Sequence, residues 1–269
     1  MFPSKANSVK KAIDVMKPCK VTYTTNSVYI ENQYQSLYLS NSGTVLKGAE
    51  LAYIKQFRSY FVKNKDIKYN KKYATFKPQY FKFFQEDGLY HDIVEIDINR
   101  AYPSAGRILK IIPDELYEKG LALSKLAMLI SIGSLKRTKK VIKVDGKGRR
   151  ELVSMEKPAE WMEKIWRSIV GYVDYSMQKA VKSKSDSVYF YWCDALFVKR
   201  EDEKHFIEQL KSFGFECKTK EIDKIQYTDD KALVYYKDVP DPKEFTRPFR
   251  TLTVDSLETV RKRYEQKTK

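Results

Sequence analysis

Two strongly apolar segments that each contain one aspartate are the most distinctive part of the hydrophobic pattern. Residues 92–104 read DIVEIDINRAYPS, a strand pattern that carries Asp97 near its end and breaks at Tyr102-Pro103-Ser104. Residues 188–198 read VYFYWCDALFV, which predicts a second strand with Asp194 in its middle. Strands alternate sides every two residues. Three polar residues therefore share one side of the first strand: Glu95, Asp97 and Asn99. On the second strand, Asp194 is expected to share a side with Trp192 and Leu196.

The remaining pattern alternates strands with amphipathic helices. The predicted elements are short strands in 20–40 around a turn at Asn26, a helix over 48–64, a long helix from near Pro113 to about 137, a hairpin over 141–153 turning at Asp145-Gly146, helices over 158–182 and 202–213, a strand after Gly214, a strand over 232–236 and a basic helix over 255–269. This order predicts an α+β fold. Two helices are expected to pack on one face of an antiparallel sheet and to leave the other face open to a ligand.

Net charge adds a functional direction to this fold class. The 269 residues carry a formal net charge of +16, with 42% hydrophobic and 32% charged positions, as in a globular protein. A strongly basic surface favours a polyanionic partner through phosphate contacts and counterion release. The alternative is a solubilising basic surface in a lysine-rich proteome. Because the charge is clustered along the chain, the nucleic-acid interpretation is the favoured one.

Cysteine spacing and hydropathy indicate the compartment. The three cysteines lie far apart without CxxC spacing, so neither a disulfide framework nor a zinc site is predicted. No apolar run approaches the length that spans a membrane, and the first residues lack a signal-peptide core. We therefore expect a cytoplasmic protein with no membrane partner.

One segment interleaves basic and aromatic residues. Positions 57–84 contain eight Lys/Arg, one acid and ten Tyr/Phe. Cations for phosphates and aromatic faces for bases together suit a single-stranded nucleic acid or a template. The alternative is that the aromatics are core and the lysines a solvated rim. The candidate contacts are Lys68, Lys71 and Lys72.

A second basic cluster coincides with the predicted hairpin. Residues 136–150 hold eight Lys/Arg and one acid, which favours a grip on a phosphate backbone over a merely solvated turn. The candidate contacts here are Lys139, Lys140, Lys147, Arg149 and Arg150.

A lone aspartate in a strand is more often an end cap or a salt-bridge partner than a metal ligand. An ionised carboxylate in an apolar strand needs a cation, and two such strands in one basic chain are compatible with a shared divalent ion. Glu95 is a possible auxiliary acid, although a solvated or salt-bridged glutamate is the favoured interpretation.

The sequence motifs around the two aspartates favour one of these interpretations, the metal site. The segment DINRAYPS resembles motif A of family B DNA polymerases, D-x-x-S-L-Y-P-S. Asp97, Tyr102, Pro103 and Ser104 match that motif, whereas the Arg100-Ala101 pair departs from it.

Two further segments follow in the order that the same family uses. FYWCDALFV resembles the motif C segment, in which Asp194 stands for the second aspartate, Trp192 replaces the first and Ala195 replaces a serine. Gly133-Ser134-Leu135 resembles more loosely the N-S-L sequence of motif B. The family's motif B lysine falls on Leu129 here. The resemblance covers about residues 92–200.

The resemblance implies roles for individual residues. Asp97 and Asp194 would bind two Mg²⁺ ions, with Mn²⁺ as the alternative, to activate a primer 3′-hydroxyl and to stabilise the departing pyrophosphate. Ile98 would offer its backbone carbonyl to a metal, and Tyr102 would lie under the deoxyribose and exclude a 2′-hydroxyl. The basic groups that would neutralise the triphosphate are Lys125, Lys136 and Arg137.

The resemblance also implies an organisation. We expect a basic, aromatic nucleic-acid-binding lobe over 1–90, a palm-like catalytic region over 91–240 with reduced fingers at about 106–150, and a basic tail over 241–269. There is no room for an exonuclease domain in the first 90 residues. The sequence does not predict an oligomeric state.

Three functional hypotheses remain open. The favoured one is a minimal polymerase from a phage or another mobile element, acting on a DNA primer-template and dNTPs and working with replication proteins. The second is a non-catalytic palm descendant that binds DNA or assists replication. The third is an RNA-directed or template-free transferase on the same palm.

Overall fold

The computed structural model describes residues 5–24, 27–40, 45–79, 81–84, 87–228 and 231–246. The predicted turn at Asn26 and the predicted helix over 255–269 lie outside these residues.

The structure combines eight helices and thirteen strands within the described residues, which confirms the α+β class. The helices are α1 Lys5–Met16, α2 Gly48–Lys63, α3 Lys71–Ala74, α4 Ala101–Ile108, α5 Asp114–Leu121, α6 Lys125–Gly133, α7 Glu160–Ser183 and α8 Glu203–Ser212. The strands are β1 Cys19–Thr24, β2 Ser27–Glu31, β3 Ser36–Ser40, β4 Phe81–Phe83, β5 Gly88–Tyr90, β6 Ile93–Ile98, β7 Lys139–Val144, β8 Arg150–Glu156, β9 Val188–Trp192, β10 Ala195–Lys199, β11 Cys217–Thr228, β12 Lys231–Tyr236 and β13 Lys243–Thr246.

The chain folds into two compact units, and each draws on two separate stretches of sequence. Unit 1 comprises Met1–Pro78 and Arg100–Tyr175, and unit 2 comprises Gln79–Asn99 and Ser176–Lys269. This grouping differs from the contiguous segments 1–90, 91–240 and 241–269 expected from the sequence. The functional roles assigned to those segments stay predictions.

Unit 1 contains a five-stranded antiparallel sheet in the order β3-β2-β1-β7-β8. Buried aliphatic residues such as Val21, Ile30 and Val144 pack beneath α1 through Ile13 and Met16. Because β1 pairs with β7 along its whole length, the first strands share a sheet with the predicted basic hairpin.

The predicted long helix after Pro113 is wrong, because the chain forms two helices there. Ser124 ends the continuity: its Oγ accepts a hydrogen bond from the Ala127 amide at 3.1 Å and caps the start of α6. A short 3-10 turn, Ser134–Lys136, follows α6. The apolar periodicity runs through both helices, which is why it predicts a single one.

Unit 2 is built on a sheet in the order β13-β12-β11-β6-β10-β9-β4, with β5 also paired to β11. The central strand β6 is almost entirely buried, and α8 packs against β6 and β11. The face that carries Glu95 is not bare, because Phe245 of β13 packs on Phe190 and Phe197 with ring centroids 5.3 Å apart in each case.

Candidate functional site

The segment 188–198 forms a hairpin and not one strand. β9 and β10 are joined by the two residues Cys193 and Asp194, and Trp192 pairs with Ala195 across the turn. Cys193 has φ 55°, a left-handed conformation that two-residue hairpin loops require and that usually selects glycine or asparagine. The segment contains neither, so the turn has no sequence signal.

Strand register brings the two aspartates onto neighbouring positions of one sheet. β6 pairs antiparallel with β10 so that Asp97 lies opposite Ala195. The Ile98 amide donates to the Asp194 carbonyl oxygen at 2.9 Å. Asp194 therefore lies one residue along the chain from Ala195, the residue that faces Asp97, and its backbone is hydrogen-bonded to Ile98.

The prediction that Asp194 shares one side of a strand with Trp192 and Leu196 is therefore wrong. The hairpin turn interrupts the two-residue period, and Trp192 shares its row with Ala195 and Asp97 instead. That row continues to Phe81 of β4, whose ring centroid is 5.2 Å from that of Trp192. An aromatic ledge thus adjoins Asp97 on the same face of the sheet.

Lysines of β11 neutralise the acids of β6. Lys218 lies opposite Asp97 and its Nζ is 3.0 Å from Oδ2; Lys220 lies opposite Glu95 at 2.7 Å. The Tyr236 hydroxyl also donates to Glu95, which is only 2% exposed. Burial, and then this carboxylate, raise the pKa of Tyr236 above its usual range, so it remains a donor. Glu95 is thus the salt-bridged glutamate that the sequence favoured.

The donors near Asp97 suit a hard cation that brings other ligands with it. The described residues contain no group of three or more His, Cys, Asp or Glu side chains that could cage a metal. Magnesium typically takes one or two protein carboxylates and completes its shell with water and phosphate oxygens. Asp97 offers one such carboxylate beside the turn that contains Asp194, and Lys218, which pairs with Asp97, is 51% exposed.

The predicted nucleotide contacts lie in unit 1. Tyr102 is half-buried on α4. Lys125 is the exposed first residue of α6. Lys136 lies over the Trp166 ring, 4.4 Å from its centroid. Arg137 lines a small cavity described below.

The basic, aromatic segment 57–84 divides between core and surface. Phe57 and Phe61 are buried on α2, so for them the core interpretation is the right one. The three candidate contacts, Lys68, Lys71 and Lys72, are all exposed. Lys72 lies 4.2 Å from the centroid of the Tyr175 ring and donates to its hydroxyl. This lysine is held in place by an aromatic residue before any ligand binds.

The predicted basic hairpin is confirmed as β7 and β8. Lys139 pairs with Glu156 at 3.0 Å, and Arg149 pairs with Asp145 at 2.7 Å inside the turn. The remaining candidate contacts, Lys140, Lys147 and Arg150, are exposed. Their nucleic-acid role stays a prediction.

Sequence reasoning missed Lys218, Lys220 and Arg58. For the two lysines a signal existed, because CKTKE alternates lysines with the same period as the acids of VEIDI. That signal is readable only when the pairing of β6 with β11 is known. Arg58 carries no such signal.

No described helix is both long and apolar enough to cross a membrane.

No protein-family model and no curated protein matches this sequence. Solved structures of phi29 DNA polymerase are similar to it at 11% sequence identity. The complex with single-stranded DNA has a TM-score of 0.45, and the ternary complex with primer-template DNA and incoming nucleotide substrates has one of 0.46. Each match covers 78% of this chain and 61% of the polymerase chain. This protein therefore spans less than two thirds of the polymerase's length.

Proposed function

We propose that this protein is a minimal DNA polymerase or nucleotidyltransferase that adds a deoxynucleotide to a primer 3′-hydroxyl. One observation supports the proposal: the register of β6 and β10 pairs Asp97, within DINRAYPS, with Ala195, the residue that follows Asp194 at the hairpin turn. A DNA primer-template, dNTPs and replication proteins would be its partners, in a phage or another mobile element.

Asp97 and Asp194 would hold Mg²⁺ or Mn²⁺, with the Ile98 carbonyl as a further oxygen. The ions would supply activation of the 3′-hydroxyl and neutralise charge on the pyrophosphate that leaves. Lys218 Nζ lies 3.0 Å from Asp97 Oδ2, so an ion that binds Asp97 would have to displace this ammonium. Tyr102 would exclude a 2′-hydroxyl by its bulk, and three basic groups would attract the triphosphate: Lys125, Lys136 and Arg137.

Primer extension by the purified protein tests this proposal. Asp97→Asn and Asp194→Asn keep the side-chain shape and remove the charge, so each is expected to abolish Mg²⁺-dependent incorporation. Asp223→Asn is the matched control, because Asp223 is an exposed acid on β11 of the same sheet. Equally low incorporation by wild type and both variants would sink the enzymatic proposal.

A second candidate function is a non-catalytic DNA-binding or replication-accessory module. It is favoured by the lysines that neutralise Asp97 and Glu95, and by Trp192 at the position of the missing motif C aspartate. DNA binding would then be strongly salt-dependent, indifferent to Mg²⁺ and unchanged by Asp97→Asn. Arg150→Gln would lower the slope of log affinity against log salt by about 0.7–0.9, the effect of one phosphate contact. Arg149→Gln would change the slope less, because Asp145 already neutralises Arg149.

A third candidate, an RNA-directed or template-free transferase, is separated by the choice of sugar. Comparing dNTP and NTP incorporation by wild type and Tyr102→Ala tests the steric role of Tyr102. Equal use of both nucleotides by the wild type would count against that role.

A further inference from the structure

Unit 1 contains a small cavity with a basic lining that includes Arg137. Its volume is about 120 Å³, and its wall is formed by α2, α6, the following 3-10 turn and the edge of the β1–β3 strands. Lys55, Arg58 and Arg137 contribute to the lining, and none of the described lining residues is acidic.

Arg137 has an unsatisfied donor in this place. Its Nε atom is buried and has no hydrogen-bond partner among the residues that the structure describes. A guanidinium is always charged and carries five N–H donors, so a buried donor without an acceptor is unfavourable. An acceptor that enters the cavity would relieve this cost.

Arg58 adds a second positive charge close to the first. Its Nη1 donates to the Ser134 carbonyl oxygen at 3.0 Å, which fixes the side chain beside the 3-10 turn. Burial and the neighbouring Arg137 both lower the pKa of Arg58, as expected for two cations close together in a partly buried place. Glu156 partly offsets this charge, but it is ion-paired with Lys139 and does not line the cavity.

A hydroxyl completes the set of donors. Ser27 Oγ donates to the Tyr38 hydroxyl oxygen at 2.9 Å, so the Tyr38 proton remains available to another acceptor. Both residues line the cavity. Two guanidinium groups and a phenolic O–H supply donors that suit the oxygens of a tetrahedral anion.

We propose that this cavity is a binding site for a phosphate-type oxyanion, held by Arg58 and Arg137 and oriented by Tyr38. A cavity of about 10–15 Å³ already accepts one water, so 120 Å³ has room for a phosphate group. The proposal rests on the cavity and its donors and does not depend on catalysis at Asp97. The phosphate is either free, as in inorganic phosphate or a nucleotide, or part of a nucleic-acid backbone.

Calorimetric titration with inorganic phosphate at constant ionic strength tests the site. Saturable binding is expected for wild type, at least tenfold weaker binding for Arg137→Gln, and partial retention for Arg137→Lys. Arg167→Gln is the matched control, because it removes the same charge from an exposed arginine that does not line the cavity. Asp97→Asn is expected to bind phosphate like wild type, which separates this test from the test of polymerase activity.

Melting temperature provides a readout that a purely structural arginine would not give. In chloride, Arg137→Gln is expected to melt at or above the wild-type temperature because the repulsion with Arg58 is relieved. In phosphate, only the wild type is expected to gain stability. If Arg137→Gln fails to fold, Tyr38→Phe carries the test with an expected severalfold loss of affinity.

Competition identifies the source of the phosphate. Displacement of bound phosphate by a short single-stranded oligonucleotide supports a backbone phosphate, and displacement only by dNTP or pyrophosphate supports a free one. Absence of saturable binding to wild type, or equal binding by wild type and Arg137→Gln, would overturn the proposal.

Discussion

Asp97 and Lys218 lie directly opposite each other on adjacent antiparallel strands, with Lys218 Nζ 3.0 Å from Asp97 Oδ2. The pair explains how an apolar strand holds an aspartate whose side chain is only 13% exposed. It also sets a condition on function, because any cation that binds Asp97 must compete with this ammonium. Lys218 therefore competes with any metal ion for Asp97.

Replacing Lys218 with methionine is expected to strengthen divalent-cation binding and to weaken the metal-free fold. Asp97 loses its counter-ion, so Mn²⁺ or Mg²⁺ should bind severalfold more tightly, while the free energy of unfolding in EDTA should fall by about 1–3 kcal/mol. Titration calorimetry and urea unfolding measure the two effects. Lys237→Met, which breaks an exposed pair with Glu221, should change stability by no more than about 0.5 kcal/mol. Unchanged cation affinity in Lys218→Met would argue against Asp97 as a ligand.

Glu95 is expected to act in stability rather than in chemistry. Glu95→Gln leaves Lys220 without its counter-ion and weakens the acceptor for Tyr236, at a cost of about 1–3 kcal/mol in unfolding free energy. Urea denaturation measures this loss. The matched control is Glu244→Gln, since Glu244 forms an exposed pair with Lys231, for which a near-neutral result is expected. A similar small effect at both positions would contradict the buried-network interpretation.

Gly171→Ala on α7 is expected to destabilise unit 1, although alanine favours helices. A Cβ at this position would lie 2.2 Å from the backbone carbonyl oxygen of Tyr73, a contact that backbone atoms cannot relieve by rotation. We expect a loss of roughly 1–3 kcal/mol in unfolding free energy, the range for overpacking. Thermal unfolding tests this against Gly48→Ala, because Gly48 has open space around its Cα and should tolerate the change. A gain of stability at Gly171 would show that the two backbones separate easily.

Cys217 is expected to make stability depend on alkaline pH. Burial raises the pKa of Cys217 from 9.0 to about 11, so the folded state favours the neutral thiol. The contribution of this thiol to the free energy of unfolding is fully present below pH 9, where the unfolded thiol is also neutral. That contribution is lost as the pH rises from about 9 through about 11. Between pH 8 and pH 10.5, wild type should lose about 1–2 kcal/mol more unfolding free energy than Cys217→Ala. Parallel losses in the two proteins would exclude this linkage.

Local periodicity was sufficient for several elements. The helices over 48–64, 158–182 and 202–213 correspond to α2, α7 and α8, and the turn at Asp145-Gly146 joins β7 to β8. Each depends on side chains within a few residues of one another, so the pattern contains the information. The prediction of one long helix after Pro113 was wrong because Ser124 caps a new helix there, although the apolar periodicity continues past it.

The candidate site shows the other limit. The sequence by itself determined that two apolar segments carry Asp97 and Asp194, that charged clusters surround them in a basic chain, and that the class is α+β. Only the tertiary structure decided that Asp194 sits at a hairpin turn, that Lys218 neutralises Asp97, and that Arg58 meets Arg137. Periodicity is a property of neighbouring residues. Strand register and the pairing of charges far apart in sequence are instead chosen by whichever packing buries the most apolar surface without leaving a charge unpaired.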